Sequence, residues 1–478
     1  MAGQIKFGTD GWRAVIAEDF TFDNVRICSQ AVSVFLKATV PDTPRVVVGY
    51  DTRFASEDFA AAVAEVLAAN GVHVYLSTSF TPTPVLSHSV VDLKADGGVI
   101  ITASHNPGRW NGFKYKAPNG SSAPVETINE IEKHLADITK SGERPARMPL
   151  EEAIGRGLVE RYDPSVRYLQ AVRGLVNVDA IAAMDGIVIV DSMYGAGAGY
   201  ISGLLDGGTV HVEELNGERN PIFPGIRPEP IGENLAKLEE TVRERGALMG
   251  IATDGDADRV GIVDEHGRFL NQHQVFALLC LYFLQVRGER GAIIRSITTT
   301  EMISLLGRKF DVPVHITRVG FKYIAPLMLQ YKAMIGGEES GGYGFRGHVP
   351  ERDGIVAALF FMDMVRQTGQ TPSQLLDRLY EMVGPHYYRR ADIELDAPAA
   401  TRLRETLKNL DPKAVGTSTV DRVDTTDGVR LALDDGSWVL FRLSGTEPLL
   451  RIYVEAKSES RVQELIGESA KLLGVKTG

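Results

Sequence analysis

The stretch "RVVVGYDTRFASEDFAAAVAEVLAANG", residues 45–71, sets the grammar of the whole chain. Its β-branched opening, "RVVVGYD", reads as a strand, and "SEDFAAAVAEVLAANG" as the helix that follows. Ser56 reads as the N-cap, with Glu57 and Asp58 in the first turn and Gly71 closing the helix. Phe59, Val63, Val66 and Leu67 fall on one helical face. "VHVYL" (72–76) and "GGVIITAS" (97–104) read as further strands. The same alternation restarts at "GIVIVDSMYGAGAGYISGLL" (186–205) and again at "GAIIRSITTTEMISLLGRKF" (291–310). Each time a buried strand meets a polar or Gly-rich turn and then a helix. Repeated α/β units with mostly parallel strands follow, and ligands in such units gather at the carboxyl ends of the strands.

The final stretch changes character. "HYYRRADIELD" (386–396), "TVDRVDTTDGVRLALDDGSWVLFRLSG" (419–445) and "PLLRIYVEA" (448–456) read as strands in succession. "TDG" and "DDG" mark hairpin turns, and helices are expected near 400–409 and 460–473. That is a smaller α+β domain. Breaks are expected at "KSGERPARMP" (140–149), after "GIVDEHG" near 267, and at "MVGPHY" near 384. The expected domains are 1–150, 151–267, 268–383 and 384–478.

The 478 residues are enough for three or four such units. A net charge of −11 argues against nucleic acid or an anionic membrane as a partner, so an anionic substrate would need locally clustered Arg and Lys. Two cysteines, Cys28 and Cys280, cannot build a disulfide framework; they sit in apolar helical patterns and read as core. The opening residues lack the apolar run of a signal peptide, and the longest apolar tract, "HQVFALLCLYFLQV", is too short to span a bilayer. The expectation is a cytoplasmic protein without a membrane partner.

Four loops carry chemistry. In "VIITASHNPGRWNGFKYKAPNG" (99–120) a strand ends on Ser104, His105, Asn106 and Pro107. Ser104 is a possible nucleophile that needs activation. His105 is its sequence neighbour, and consecutive strand residues point to opposite faces, so it is expected to be a poor base. Lys114 and Lys116 suit an anionic transferring group, which favours phosphoryl over acyl transfer. In "GIATDGDADRVGIVD" (250–264), Asp254, Asp256 and Asp258 repel one another unless a cation lies between them. Oxygen-only ligands point to Mg²⁺ or Ca²⁺. Glu265 falls at the twelfth position of a calcium-loop pattern, but Arg259 occupies the sixth, where that loop needs glycine, and the flanks read as strands.

In "MIGGEESGGYGFRGHVPERDG" (334–354), Glu338 and Ser340 could hydrogen-bond neighbouring hydroxyls of a sugar, or the segment could be a plain Gly-rich turn. In "FRLSGTEPLLR" (441–451), Ser444, Gly445 and Thr446 offer hydroxyls and successive N–H groups. Arg442 and Arg451 bracket them and could clamp a phosphate, or lie solvated beside a β-turn. "GAGAG" (195–199) lacks the spacing of a dinucleotide loop and reads as a tight helix start.

The ordered motifs "FGTDGWR", "TASHNP", "DGDADR", "GEESGG" and "RLSGTEPLLR" span residues 7–451. By them the chain resembles the α-D-phosphohexomutase superfamily, and phosphoglucomutases most. The resemblance implies three related α/β domains with mixed, mostly parallel sheets, and a smaller C-terminal α+β domain, around one cleft. It implies a phosphorylated Ser104 and Mg²⁺ held by Asp254, Asp256 and Asp258 together with that phosphate. It implies that Glu338 and Ser340 read the sugar 3- and 4-hydroxyls, with Lys322 and His348 near the sugar. Arg442, Ser444, Gly445, Thr446 and Arg451 would hold the phosphate that is not reacting, and Arg13, Lys114 and Arg259 would surround the transfer site beside His105. The implied reaction interconverts glucose 1-phosphate and glucose 6-phosphate through glucose 1,6-bisphosphate. A phosphomannomutase or dual-specificity mutase is the alternative, and a non-catalytic sugar-phosphate-binding relative a remote one. The general acid and base stay open among His105, Arg13, Lys114 and Glu338. A monomer or homodimer acting on hexose phosphates is expected.

Overall fold

The structure is a computed structural model and describes residues 5–8, 10–444 and 448–475. The first sheet has six strands: β1 (Trp12–Val15), β2 (Arg45–Tyr50), β3 (His73–Ser77), β4 (Gly97–Ile101), β5 (Trp110–Lys116) and β6 (Val159–Tyr162). Their spatial order is β1-β5-β4-β2-β3-β6. Pairing is parallel through β4, β2, β3 and β6, and antiparallel where β5 meets β4 and β1. β6 carries this sheet to residue 162, beyond the boundary expected at 150, because no pattern in a four-residue edge strand says which sheet it will join.

The helix Ser56–Ala69 buries Phe59, Val63, Val66 and Leu67 against the sheet, as its periodicity requires. Its cap differs from expectation. Ala55, with φ of 55°, turns the chain, and the Ser56 hydroxyl donates to Asp51 Oδ1 at 2.8 Å instead of capping.

The second sheet is β11-β10-β9-β7-β8, built from β7 (Ile187–Asp191), β8 (His211–Leu215), β9 (Met249–Thr253), β10 (Val260–Val263) and β11 (Phe269–Leu270). The third is β13-β12-β14-β15, from β12 (Ile293–Ser296), β13 (Val314–Thr317), β14 (Ile335–Gly337) and β15 (Tyr343–Phe345). In each of the three sheets one parallel strand turns straight back into an antiparallel partner: β4 into β5, β9 into β10, β14 into β15. The helices expected after the strands at 45–50, 187–191 and 293–296 are present. After β4, β9 and β14 a returning strand follows, in keeping with the strand reading of both flanks of the Asp254–Asp258 turn, and each hairpin carries one of the motif loops.

The second and third units share one apolar core. The helix Gln272–Leu281 lies in it, capped by Asn271 and Gln274, so the longest apolar tract is core. No helix among the described residues is long and apolar enough to cross a membrane. The last unit is an all-antiparallel sheet, β16-β21-β20-β19-β18-β17, with its own core and helices Ala397–Lys408 and Glu459–Leu473. Its strands are β16 (Tyr387–Glu394), β17 (Ala414–Val415), β18 (Ser418–Asp424), β19 (Val429–Leu433), β20 (Trp438–Leu443) and β21 (Leu449–Ala456). Cys28 and Cys280 are buried and unpaired.

Candidate active site

β4 ends at Ile101, and Ser104 has a φ of 53°, in the left-handed region. The chain is therefore no longer extended at Ser104. This overturns the expectation that Ser104 and His105 diverge: Ser104 Oγ lies 3.3 Å from His105 Nδ1. The same Oγ donates to Asp254 Oδ2 at 2.8 Å, across 150 residues of sequence.

Arg53, which lies in the stretch 45–71 but carries no role in the sequence reading, holds this conformation. Its fully buried guanidinium donates to the carbonyls of Ser104 (2.6 Å), Asn106 (2.6 Å), Pro107 (2.9 Å) and Trp110 (3.0 Å). Its Nε donates to Asp51 Oδ2 at 3.0 Å. Burial pushes the Asp51 carboxyl up and Arg53 down, and their pairing opposes both shifts. Sequence reading passes over such a residue because an Arg in a strand–helix turn is usually solvated.

Asp254, Asp256 and Asp258 come from the turn between β9 and β10 and are fully buried, one oxygen of each lying within 4.8 Å of the others. Asp254 Oδ1 accepts the N–H groups of Asp258 and Arg259, at 3.0 and 3.1 Å. Asp256 Oδ2 accepts from Thr83 Oγ1 at 2.6 Å and Lys114 Nζ at 2.8 Å. Asp256 Oδ1 and Asp258 Oδ1 accept no hydrogen bond from the described residues. Bare, buried carboxylate oxygens converging this closely fit a hard divalent cation. Glu265 belongs to the far end of β10 and accepts from Thr371 and Ser373, so the calcium-loop pattern is excluded in space as well. Gly255 lets this turn touch the serine loop: a Cβ there would lie 2.4 Å from the Ser104 carbonyl oxygen.

Lys114 Nζ is 2.8 Å from both Asp10 Oδ2 and Asp256 Oδ2, and 3.7 Å from Asp258 Oδ2. Burial works against its charge, and the three carboxylates outweigh burial, so its pKa is raised. Burial likewise opposes ionisation of Asp256, but Lys114 wins and holds it well below the usual carboxylate range. Asp254 goes the other way: burial, then Asp256 and Asp258, push it well up. Arg352, also missed in the sequence, contacts Asp10 and Asp258 at 2.8 Å each and approaches Glu338 at 3.7 Å. It joins the β9–β10 and β14–β15 turns directly, and through Asp10 and Lys114 it reaches strand β5 of the first hairpin.

Arg13 donates to Asn106 Oδ1 at 2.8 Å, and Arg259 pairs with Glu229 at 3.1 Å. Burial, followed by Arg259, Arg13, Arg227 and Lys114, pushes His105 well below its ordinary value. At neutral pH its ring is uncharged beside Ser104.

Glu338 Oε1, in the β14–β15 turn, accepts the Gly320 N–H at 2.8 Å. Burial pushes the Glu338 carboxyl up, against Arg352 and Arg259. Ser340 lies half-buried in the same turn, and Lys322 two residues beyond Gly320 in the helix Phe321–Tyr331. His348 Nε2 is 2.8 Å from Asp353 Oδ2, and its ring faces His88 and Tyr168. It anchors the start of the helix Gly354–Thr368, which Asp353 caps, and its contacts do not link it to Glu338.

Arg442 on β20 and Arg451 on β21 are directly opposite in register, so both guanidinium groups leave the same hairpin side by side. Ser444 N–H donates to the Leu449 carbonyl at 2.8 Å, closing that hairpin. Gly445 and Thr446 lie outside the described residues.

Family profiles match the chain in four consecutive pieces. Phosphoglucomutase/phosphomannomutase alpha/beta/alpha domain I matches residues 4–142, domain II 166–267, domain III 271–383, and the C-terminal domain 394–472. A Thermococcus kodakarensis protein named phosphoglucomutase/phosphomannomutase is 33% identical over 98% of both chains. A Pyrococcus abyssi protein named probable phosphoglucosamine mutase is 32% identical, over 98% of this chain and 97% of its own. A crystal structure from Thermus thermophilus bearing a phosphomannomutase label superposes with a TM-score of 0.85 at 36% identity, covering 99% of this chain and 100% of that one.

Proposed function

Because this chain belongs to the phosphoglucomutase/phosphomannomutase family of α-D-phosphohexomutases and is a mutase, we propose that it interconverts glucose 1-phosphate and glucose 6-phosphate. The phosphoryl group passes through Ser104, with glucose 1,6-bisphosphate as the intermediate. One observation carries the reading: Ser104 Oγ sits 2.8 Å from Asp254 in a buried three-carboxylate cluster, with Lys114 alongside.

Phosphoryl transfer needs positioning and charge neutralisation more than covalent help. Arg53 fixes the serine loop. Lys114, Arg13 and Arg259 offset the charge of the group in transit. Glu338 and Ser340 orient the sugar by its hydroxyls, and Lys322 lies at the edge of that turn. Arg442 and Arg451, with Ser444, Gly445 and Thr446, hold the idle phosphate through planar, multi-donor contacts. Asp254, Asp256 and Asp258 would hold Mg²⁺, which supplies Lewis acidity to a phosphate on Ser104. His105, neutral and 3.3 Å from Ser104 Oγ, is suited to exchange a proton with that oxygen or with the incoming hydroxyl. A buried pair of unlinked cysteines suits a reducing, cytoplasmic setting.

The 33%-identical relative carries both the glucose and the mannose name, which favours dual specificity as the second reading. The test is a panel of glucose, mannose, glucosamine and N-acetylglucosamine 1-phosphates with Mg²⁺ and trace bisphosphate. The highest kcat/KM is expected for glucose 1-phosphate. A higher value for an amino sugar would overturn the assignment. Ser104→Ala should lower turnover by about three orders of magnitude or more with the fold intact.

A further inference from the structure

The sugar-reading turn and the phosphate clamp lie on different domains, yet each clamp arginine is wired to that turn by its own chain of polar contacts. The first chain starts at Glu338, which accepts the Gly320 N–H at 2.8 Å. The preceding N–H, of Val319, donates to Asp427 Oδ2 at 3.0 Å. That same oxygen accepts from Arg442 Nε at 3.1 Å. Asp427 is the aspartate of the "TDG" turn between β18 and β19, and Arg318 Nε fixes the turn by donating to the Thr426 carbonyl at 3.0 Å.

The second chain starts at Glu339. Its Oε1 accepts from Tyr388 Oη at 2.8 Å and Arg390 Nη1 at 3.2 Å, both on β16 of the last domain. Arg390 Nε donates to Asp392 Oδ1 at 2.8 Å. The other oxygen of Asp392 lies 3.7 Å from Arg451 Nε. Asp392 and Arg451 are register partners on β16 and β21.

We propose that Asp427 and Asp392 are positioning residues, and that they make the orientation of the two clamp arginines depend on the seating of the Glu338–Glu339 turn. Asp427 holds the Arg442 Nε by a hydrogen bond and Asp392 faces the Arg451 Nε at ion-pair distance; among the described residues both aspartates thus approach the Nε edge and not the terminal nitrogens, which bidentate phosphate recognition uses. Partly exposed ion pairs of this kind add little stability. What they fix is geometry, and a clamp that must accept either phosphate of a turning sugar gains from being set by the part that reads the sugar. Glu339, between two sugar-reading residues, serves in this arrangement as the latch to the last domain.

The inference rests on the function proposed above for the clamp. Its test therefore includes a readout that needs no turnover. Asp427→Asn, Asp392→Asn and Arg390→Gln are titrated calorimetrically with inorganic phosphate, with Arg442→Gln defining the clamp's share of the affinity. They are also assayed with glucose 1-phosphate. Each variant should weaken the clamp's share, and raise KM, roughly three- to tenfold with kcat changed less than twofold. Arg390→Gln combined with Asp392→Asn, on one chain, should cost little more than either alone. Asp392→Asn combined with Asp427→Asn, one from each chain, should multiply. Unchanged phosphate affinity in both aspartate variants, or independent effects along a single chain, overturns the inference. Weakened phosphate binding together with a wild-type protein that turns over no hexose phosphate upholds the wiring and overturns the proposed function.

Discussion

The Ser104 hydroxyl lies between Asp254 and His105, and neither neighbour needs to move to reach it. What allows this is a backbone in the left-handed region, which costs a non-glycine residue energy and persists only when the surroundings hold it. Four carbonyl bonds from Arg53 do the holding. Arg53→Met should therefore act twice. It leaves Asp51 buried without its cation, a loss of about 3–5 kcal/mol visible in urea melts, and it frees the serine loop, lowering kcat. Adding Asp51→Asn should recover much of the stability and little of the kcat. Recovery of both would mean that Arg53 acts only through stability. Gly255→Ala would drive a Cβ to 2.4 Å from the Ser104 carbonyl. It should destabilise by about 1–3 kcal/mol and lower kcat at least tenfold, because the serine and carboxylate turns must separate.

Three hairpins of one kind carry the chemistry, each formed where a parallel strand reverses into an antiparallel partner. The arrangement puts three turns at the carboxyl ends of parallel strands, where open α/β sheets bind ligands. The β9–β10 turn stores unfavourable electrostatics. Asp254 has a folded pKa raised above its unfolded value by burial, Asp256 and Asp258. Such a group contributes stability that is full below the usual carboxylate range, near pH 4, and lost as pH rises through its raised folded value. In chelator at pH 7.5, Asp254→Asn should thus melt at a higher temperature than wild type, with the gap closing toward about pH 4. Added Mg²⁺ should raise the wild-type Tm and leave that of the variant unchanged. A variant that melts lower at about pH 7.5 and still responds to Mg²⁺ would contradict both the charge balance and the ligand set. Asp10 carries the opposite sign: burial opposes its ionisation, but Lys114, Lys116, Arg352 and Arg13 hold it well below the usual range. Its contribution is present above about pH 4 and is lost only as pH falls through that depressed value.

At the scale of the molecule, the second and third domains share a core, and the last domain docks on the third through Glu339, Asp427 and Glu301. The clamp is the part of the site farthest in sequence from Ser104. Arg442→Ala or Arg451→Ala should raise KM about 10- to 100-fold, the worth of a lost charge-assisted hydrogen bond. Steady-state kinetics with an unchanged KM would remove the clamp from substrate binding. Much of this was legible beforehand. The alternation after residue 45, the all-strand end of the chain and the motif residues Ser104, Asp254, Asp256, Asp258 and Arg442 are local signals, and local periodicity and spacing survive folding unchanged. The strands on both sides of the Asp254–Asp258 turn were legible as runs, but the antiparallel pairing after β4, β9 and β14 was not, because a strand run does not say which strand it will join. Arg53, Arg352 and Asp427 were not legible either, since their types are usually solvated and only contacts across tens to hundreds of residues turn them inward. The approach of His105 to Ser104 was misread for a related reason: one left-handed residue reverses which way neighbouring side chains point. The sequence by itself determined the family, the domain count and the chemical inventory, because these follow from residue types at fixed spacing. Only the tertiary structure decided which of those groups meet and which charges balance. Pairing between hairpins of different domains depends on packing that no local pattern encodes.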